Sequence, residues 1–318
     1  MKQEQYTQIL SKLQEQMQQV GINDFKMPWD CGIHYPINGT TQHKYSGANR
    51  VILGFDAMAQ GKQPIYATFK QWLDAGHPVK KGSVSTKILM PLISKKTAID
   101  DNGDEKISQF CKGYKLLNVF HYSQVDGYTP PKGVQKASFK DFENAEHFAA
   151  ATGAKIRQAS SAYYRGGMVY DQVNIPPKSS FTGTATSTAE ECYYSTLFHE
   201  LTHWTGAKHR LNREMGKGKQ GEKYAFEELV AELGASFLCQ DLGISKTPRL
   251  DHAQYLKSWM RGLKDAPALF LKAASLAEKA TGYMHRLNAT EGQAKIVPPA
   301  IIQQPRHQPT ASQQLTLI

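Results

Sequence analysis

Apolar and polar positions divide the chain into stretches of different texture. Residues 4–20 place Ile9, Leu10, Leu13, Met17 and Val20 at helical spacing among glutamines, which predicts an amphipathic opening helix. From Met27 to Phe55, Pro, Gly, Asn and aromatic residues prevail. Residues 28–29 and 35–39 read as ordered loops there, and 44–50 runs into the apolar segment 51–55. A helix is expected over 68–75, stopped by Gly76. After it the basic turn 79–83 leads into a strand over 86–92. An exposed turn over 95–104 then links to a strand pair that includes 112–120 and ends near Gly127. Residues 128–133, Tyr-Thr-Pro-Pro-Lys-Gly, interrupt helix and strand alike and form the expected linker.

Beyond the linker, Phe142, Ala145, Phe148, Ala149 and Thr152 share one side of a helix over 139–152, with Gly153 as its stop. Strands follow over 155–159 and 168–175, joined by the turn Arg165-Gly166-Gly167. The second alternates Val169, Asp171, Val173 and Ile175 against Met168, Tyr170, Gln172 and Asn174. Ser187 and Glu190 have capping-box spacing ahead of a helix with apolar Leu197, Phe198, Leu201 and Trp204, and Gly206 falls where a helix end calls for positive φ. In the next helix, 224–238, the apolar stripe is Phe226, Leu229, Val230, Leu233 and Phe237, while Glu228, Ala231, Glu232 and Ala235 share another face. Small residues on that face admit a close neighbour, and glutamates beside them suit a metal better than solvent. Helices over 255–263 and 266–281, the latter ending at Gly282, supply further core, and from Glu291 the Gln, Pro and Thr content predicts a flexible tail. The expected fold is α+β in two domains, a mixed α/β module over 1–133 and a second domain over 134–290, with the tail at 291–318.

Composition adds a charge argument. The 318 residues carry a formal net charge of +10, which favours an anionic partner. In the first module, basic turns alternate with Tyr45, Tyr66, Trp72, Tyr114 and Phe120, the texture of a single-strand groove in which lysines neutralise phosphate and rings stack on bases. The same residues read equally well as core aromatics beside a solvated lysine face. The four cysteines form no CxxC pair, so neither a disulfide framework nor a cysteine–zinc site is indicated. No leader-like apolar segment and no membrane-length apolar run occurs, so a cytoplasmic protein with no membrane partner is expected.

The most specific chemistry is His199-Glu200-x-x-His203. Four residues apart on a helix, both imidazoles face one way and can share a tetrahedral zinc ion, with Glu200 as general base toward its water. Three residues compete for third ligand. His209 completes the H-E-x-x-H-x-x-G-x-x-H pattern, whereas Glu228 and Glu232 lie one turn apart on the following helix.

With these motifs the chain resembles the ArdC-type antirestriction proteins carried on conjugative plasmids, over nearly all its length. The amino-terminal matches are Pro36-x-Asn38, Tyr45-Ser-Gly-Ala-Asn49, Phe69-Lys-Gln-Trp72 with Gly76, the Lys80-Lys81-Gly82 turn, and 114–120. The remaining matches are 194–206, Arg210-Leu-Asn-Arg213 and Glu227-Glu-Leu-Val-Ala-Glu232. The loop Thr40-Thr-Gln-His43 departs from the family's usual Thr-Gly. The resemblance implies a single-stranded-DNA-binding domain followed by a zincin-like metallopeptidase domain. It implies that His199, His203 and Glu228 hold the metal, zinc before manganese or cobalt, that Glu232 supports a ligand histidine, and that Glu200 is catalytic. DNA contacts are assigned to Tyr45, Asn49, Arg50, Lys80, Lys81, Lys112 and Tyr114. The implied role is protection of incoming plasmid DNA, mainly single-stranded and also double-stranded, from host restriction. The alternatives are a DNA-tethered protease acting on restriction or DNA-bound proteins, and a strand-coating conjugation or replication accessory protein with a vestigial metal site.

Overall fold

A computed structural model describes Ser11 and residues 35–99, 105–131, 139–167, 169–184, 187–216, 221–244 and 267–290. The expected opening helix, the 255–263 helix and the tail lie outside these residues.

The first half builds a four-stranded sheet from β1 (Ile37–Asn38), β2 (Ile65–Thr68), β3 (Thr86–Ile99) and β4 (Glu105–His121), in the order β1-β2-β4-β3. β1 runs parallel to β2, and the other pairs are antiparallel. The short helix α2 (Phe69–Asp74) starts with a capping box in which Thr68 and Gln71 satisfy each other's backbone N–H groups. It buries Trp72 completely, with the indole N–H donating to the Phe120 carbonyl. Tyr66 is likewise fully buried. Two of the aromatics read as base-stacking candidates are therefore core.

The segment 44–55, for which the sequence suggests no regular element, contains a helix, α1 (Gly47–Gln60). Ala48, Val51, Ile52 and Phe55 have i, i+3, i+4, i+7 spacing, and the flanking glycines obscure it. α1 lies between the two halves of the molecule. Leu53 and Ala57 pack on Tyr66, Ile88 and Val119 of the sheet. Val51 packs among Leu229, Val230, Leu233 and Phe237 of α5 (Glu222–Asp241) and Phe270, Ala273 and Ala277 of α6 (Pro267–Thr290).

Three polar contacts fix α1 in place. Asn49 pairs with the edge strand β3 as another strand would, its amide donating to the Leu89 carbonyl at 2.7 Å and accepting from the Leu89 N–H at 2.8 Å. Glu278 on α6 accepts from the Gly47 N–H at 3.0 Å. Arg50, 2% exposed, donates to Asp241 and to the Phe237 carbonyl, each at 2.9 Å, and to Gln240 at 2.8 Å. Its guanidinium lies over the Tyr35 and Phe237 rings.

The second half has a three-stranded sheet ordered β5-β7-β6, from β5 (Lys155–Gln158), β6 (Tyr163–Arg165) and β7 (Gln172–Ile175). β5 is parallel to β7 and β6 is antiparallel to it. The single long strand expected over 168–175 is thus shorter, and Arg165 belongs to a separate edge strand rather than a turn. Asp171, with φ of +25°, breaks the extended run. α3 (Phe139–Ala151) and α4 (Ala189–Thr205) share a core with this sheet through Ala145, Phe148, Val173, Ile175, Leu197, Phe198 and Leu201. α6 continues past Gly282 to Thr290, because buried Ala277, Ala280 and Met284 carry the helical stripe through the glycine.

Replacing Arg50, itself buried, with Met leaves the largely enclosed Asp241 beside His285 without its guanidinium. Breaking a buried pair in this way costs about 3–5 kcal/mol, so urea denaturation of Arg50→Met should show a loss of that size. An unchanged midpoint would contradict the role given to this contact.

Candidate metal centre

α4 carries the HExxH residues. Its N-cap is Thr188, whose hydroxyl accepts from the Glu191 N–H while Glu191 accepts from the Thr188 N–H. The box expected at Ser187 and Glu190 is displaced by one residue. Both registers satisfy the spacing rule, but Ser187 is engaged in a turn with Thr184. Gly206 also differs from expectation, since its φ is −74°. A Cβ there would lie 2.9 Å from Arg213 Nη2 and from Met215 Sδ, so a side chain would have to displace one of them, and the backbone sign itself does not call for glycine.

α5 crosses α4 at a point where side chains are nearly absent. A Cβ on Gly234 would stand 2.6 Å from both Thr202 Oγ1 and Cγ2, and Ala231 and Ala235 are fully buried. This closeness brings the carboxylates of α5 against the imidazoles of α4. His199 Nε2 is 3.1 Å from His203 Nε2. Glu228 Oε2 lies 3.4 Å from His199 Nε2, and its Oε1 lies 3.4 Å from His203 Nε2. A tetrahedral ion with bonds of about 2.0–2.1 Å separates its ligand atoms by roughly 3.3–3.4 Å. These separations are of that size, with Glu228 turning one oxygen to each imidazole, and one ligand atom of each residue lies within 4.8 Å of the others. Among the described residues, His199, His203 and Glu228 form the group able to hold a metal ion.

The outer nitrogens are engaged as well. His199 Nδ1 faces Glu232 Oε1 at 3.2 Å, and His203 Nδ1 faces Glu227 Oε1 at 3.2 Å. Such carboxylate–imidazole pairs leave the other ring nitrogen directed at a metal. Arg213 clamps Glu227 through both oxygens, at 2.6 and 3.0 Å. Four glutamates therefore converge on two imidazoles and one guanidinium, a charge balance that a dication corrects.

The pKa shifts express the same imbalance. Burial would lower the pKa of His199, but hydrogen bonds to Glu228 and Glu232 with the surrounding carboxylate charge raise it to about 10. His203 is raised too, Glu227 and Glu228 outweighing its burial. Burial pushes the Glu200 carboxyl upward against the opposing pull of the two histidines. The Tyr164 backbone N–H on β6 donates to Glu200, tying the candidate base to the edge strand.

His209 is not part of this group. Its side chain is 64% exposed and faces Asp171 and Arg210. Asp171 is held down to about 2 first by the Arg210 hydrogen bond, and it accepts from the Tyr164 hydroxyl as well. Arg210 also donates to the Trp204 carbonyl, so this cluster joins the small sheet to the end of α4. The metzincin-like spacing is coincidental here. Glu227 and Arg213 escaped the sequence reading as a pair. The Glu-Glu doublet hinted at the first, but no spacing rule connects residue 213 to residue 227.

Residues assigned to DNA contact fare unevenly. Tyr45 donates to the Tyr66 carbonyl, Asn49 holds β3 and Arg50 is buried, so all three have internal structural tasks. Lys80 and Lys81 sit exposed in the turn before β3, while Lys112 and Tyr114 lie on β4. β3 starts opposite Val119, about seven residues or roughly 23 Å along the strand from Lys112, and Lys80 lies further on, its N–H donating to the Gln124 carbonyl beyond the end of β4.

Fold and site together define a two-domain α+β protein with a zincin-like metallopeptidase domain. Residues 143–276 match the family model for zincin-like metallopeptidases, and residues 3–120 match the model for the N-terminal domain of the anti-restriction factor ArdC. The chain is similar to the metal-free crystal structure of the antirestriction protein ArdC from plasmid R388, with 30% identity, a TM-score of 0.66, and coverage of 90% of this chain and 98% of that one. The Mn(II)-bound structure of that protein matches with 30% identity, a TM-score of 0.63, and coverage of 89% and 98%. An uncharacterised protein of Sinorhizobium fredii, y4eC, is 34% identical over 278 residues, 84% of this chain and 87% of its own length. DNA primase TraC of Escherichia coli is 34% identical over 293 residues, 86% of this chain but 26% of TraC. The chain belongs to the ArdC antirestriction family.

The helix crossing yields a direct test. Gly234→Ala gains up to about 1 kcal/mol of helix propensity but must overlap Thr202, and overpacking costs about 1–3 kcal/mol. Chemical denaturation should show a net loss, with Thr202→Ala in the same chain recovering most of it. A single variant as stable as the parent would contradict the close crossing.

Proposed function

We propose that the protein binds DNA, mainly single strands, and shields incoming plasmid DNA from host restriction during conjugation, and that its second domain is a metal-dependent peptide hydrolase. The observation that carries the first part is the 30% identity to an antirestriction protein of which the chain covers 98%. The net charge of +10 and the exposed Lys80, Lys81 and Lys112 support an anionic partner. Tyr114 and Lys112 are proposed contacts on the β3–β4 hairpin, whereas Tyr45, Asn49 and Arg50 are engaged in internal contacts.

For the second part, the triangle of His199, His203 and Glu228 carries the reading. These three would hold a divalent ion, and two imidazoles with one carboxylate suit zinc while accepting manganese or cobalt. A bound ion polarises a carbonyl and makes water acidic near neutral pH. Glu200, with its carboxyl pushed upward by burial, is suited to accept the proton of the attacking water and deliver it to the leaving amine nitrogen. Glu232 and Glu227 hold the two imidazoles in orientation. The edge strand β6 offers its backbone to an extended peptide beside Glu200.

Two outcomes follow. Glu200→Gln should keep metal affinity and lower peptide hydrolysis by about 10²–10⁴-fold, while still protecting plasmid DNA in a restricting host. Loss of protection at unchanged DNA affinity would favour the protease reading instead. In an oligonucleotide titration, single strands should bind more tightly than duplex, and log affinity should fall linearly with log salt. A flat salt response would remove the nucleic-acid role.

A further inference from the structure

We infer that Arg213 is a positioning residue for the metal centre, acting through Glu227 on His203, and that Gly206 is glycine to let it do so. This rests on the reading of His199, His203 and Glu228 as ion ligands. The segment after α4 folds back on the helix end, with the Arg213 N–H donating to the Gly206 carbonyl at 2.9 Å and the Leu211 N–H to the Thr205 carbonyl at 3.0 Å. That return places the guanidinium across the last turn of α4, where Nη2 donates to the Thr202 carbonyl at 2.7 Å and Nη1 to the Thr205 hydroxyl at 2.8 Å. Any side chain at position 206 would meet Nη2 at 2.9 Å.

The same guanidinium grips both oxygens of Glu227 on α5, so one side chain spans the two helices that supply the ligands. The Arg213 and Glu227 side chains are 4% and 3% exposed, which places the fork in a dry environment where its geometry is strict. Two consequences follow for the site. Glu227 is fixed with Oε1 on His203 Nδ1, so the ring keeps its hydrogen on Nδ1 and presents Nε2 to the ion. Glu227 is also prevented from turning toward the ion itself, which leaves that position to its neighbour Glu228. His199 is held from α5 as well, by Glu232 on its Nδ1.

The test uses the full-length chain and competition with a chromophoric chelator for Zn²⁺ and for Mn²⁺, with denaturation of the metal-free protein alongside. Arg213→Met and Glu227→Gln should each weaken affinity by about 10–100-fold, the usual effect of removing a partner of a ligand histidine. Arg213→Lys should recover little, since an ammonium cannot hold both oxygens and the helix carbonyl together. Because the two residues act in series, the double variant should bind no more weakly than the worse single one. Affinity within about twofold of the parent in a folded Arg213→Met or Glu227→Gln protein, or fully additive losses, would overturn the inference. If Arg213→Met fails to fold without metal, Glu227→Gln, which preserves side-chain volume, decides alone. A parent protein that takes up neither ion overturns the ligand assignment itself, and the positioning role falls with it.

Discussion

The metal-centre geometry depends on two helices approaching more closely than ordinary side chains permit. Gly234 faces Thr202 with no room for a methyl group, and Ala231 and Ala235 near it on α5 are fully buried. A wider crossing would move Glu228 away from the shared face of His199 and His203 and detach Glu232 and Glu227 from their imidazoles. It would also leave buried carboxylates without partners, which is costly. Packing and electrostatics are therefore linked. The small residues create an arrangement that is over-rich in negative charge, and Arg213 with a bound dication restores the balance.

A second constraint joins the halves. α1 lies within the amino-terminal matched region, yet its Val51 packs on α5 and α6 and its Arg50 ends on Asp241, at the far end of the helix that carries Glu228. On its other side, Asn49 completes the hydrogen bonding of the edge strand β3, the strand that forms the long basic hairpin with β4. The helix is thus continuous with both cores. The motif residues Asn38, Tyr45 and Asn49 brace the amino-terminal side of α1: Asn38 accepts from the Thr40 and Thr41 N–H groups, and Tyr45 reaches the Tyr66 carbonyl.

What could be read from the sequence was what local spacing controls. His199 and His203 share a face because of helical periodicity, and Glu228 and Glu232 share theirs for the same reason. The flanking alanines marked that face as a helix contact. The α+β class and most strands followed from alternation and from turn residues. The features that escaped depend on tertiary return of the chain. Arg213 meets Glu227 only because a loop folds over Gly206. Arg50 looked like a DNA-facing cation because nothing near it in sequence announces Asp241. The capping box slipped by one position because two adjacent hydroxyl residues precede two adjacent glutamates, and only the Thr184 turn distinguishes them. His209 completed a metzincin pattern in letters, but its side chain points to Asp171.

Two histidines of α4 and one glutamate of α5 are the proposed ligands of the ion. The most direct measurement is X-ray absorption at the zinc edge of the zinc-loaded protein. The predicted spectrum shows a shell of nitrogen and oxygen at about 2.0–2.1 Å, with outer-shell scattering from two imidazoles and no sulfur. A third imidazole, a thiolate ligand, or an ion surrounded by water alone would contradict the assignment.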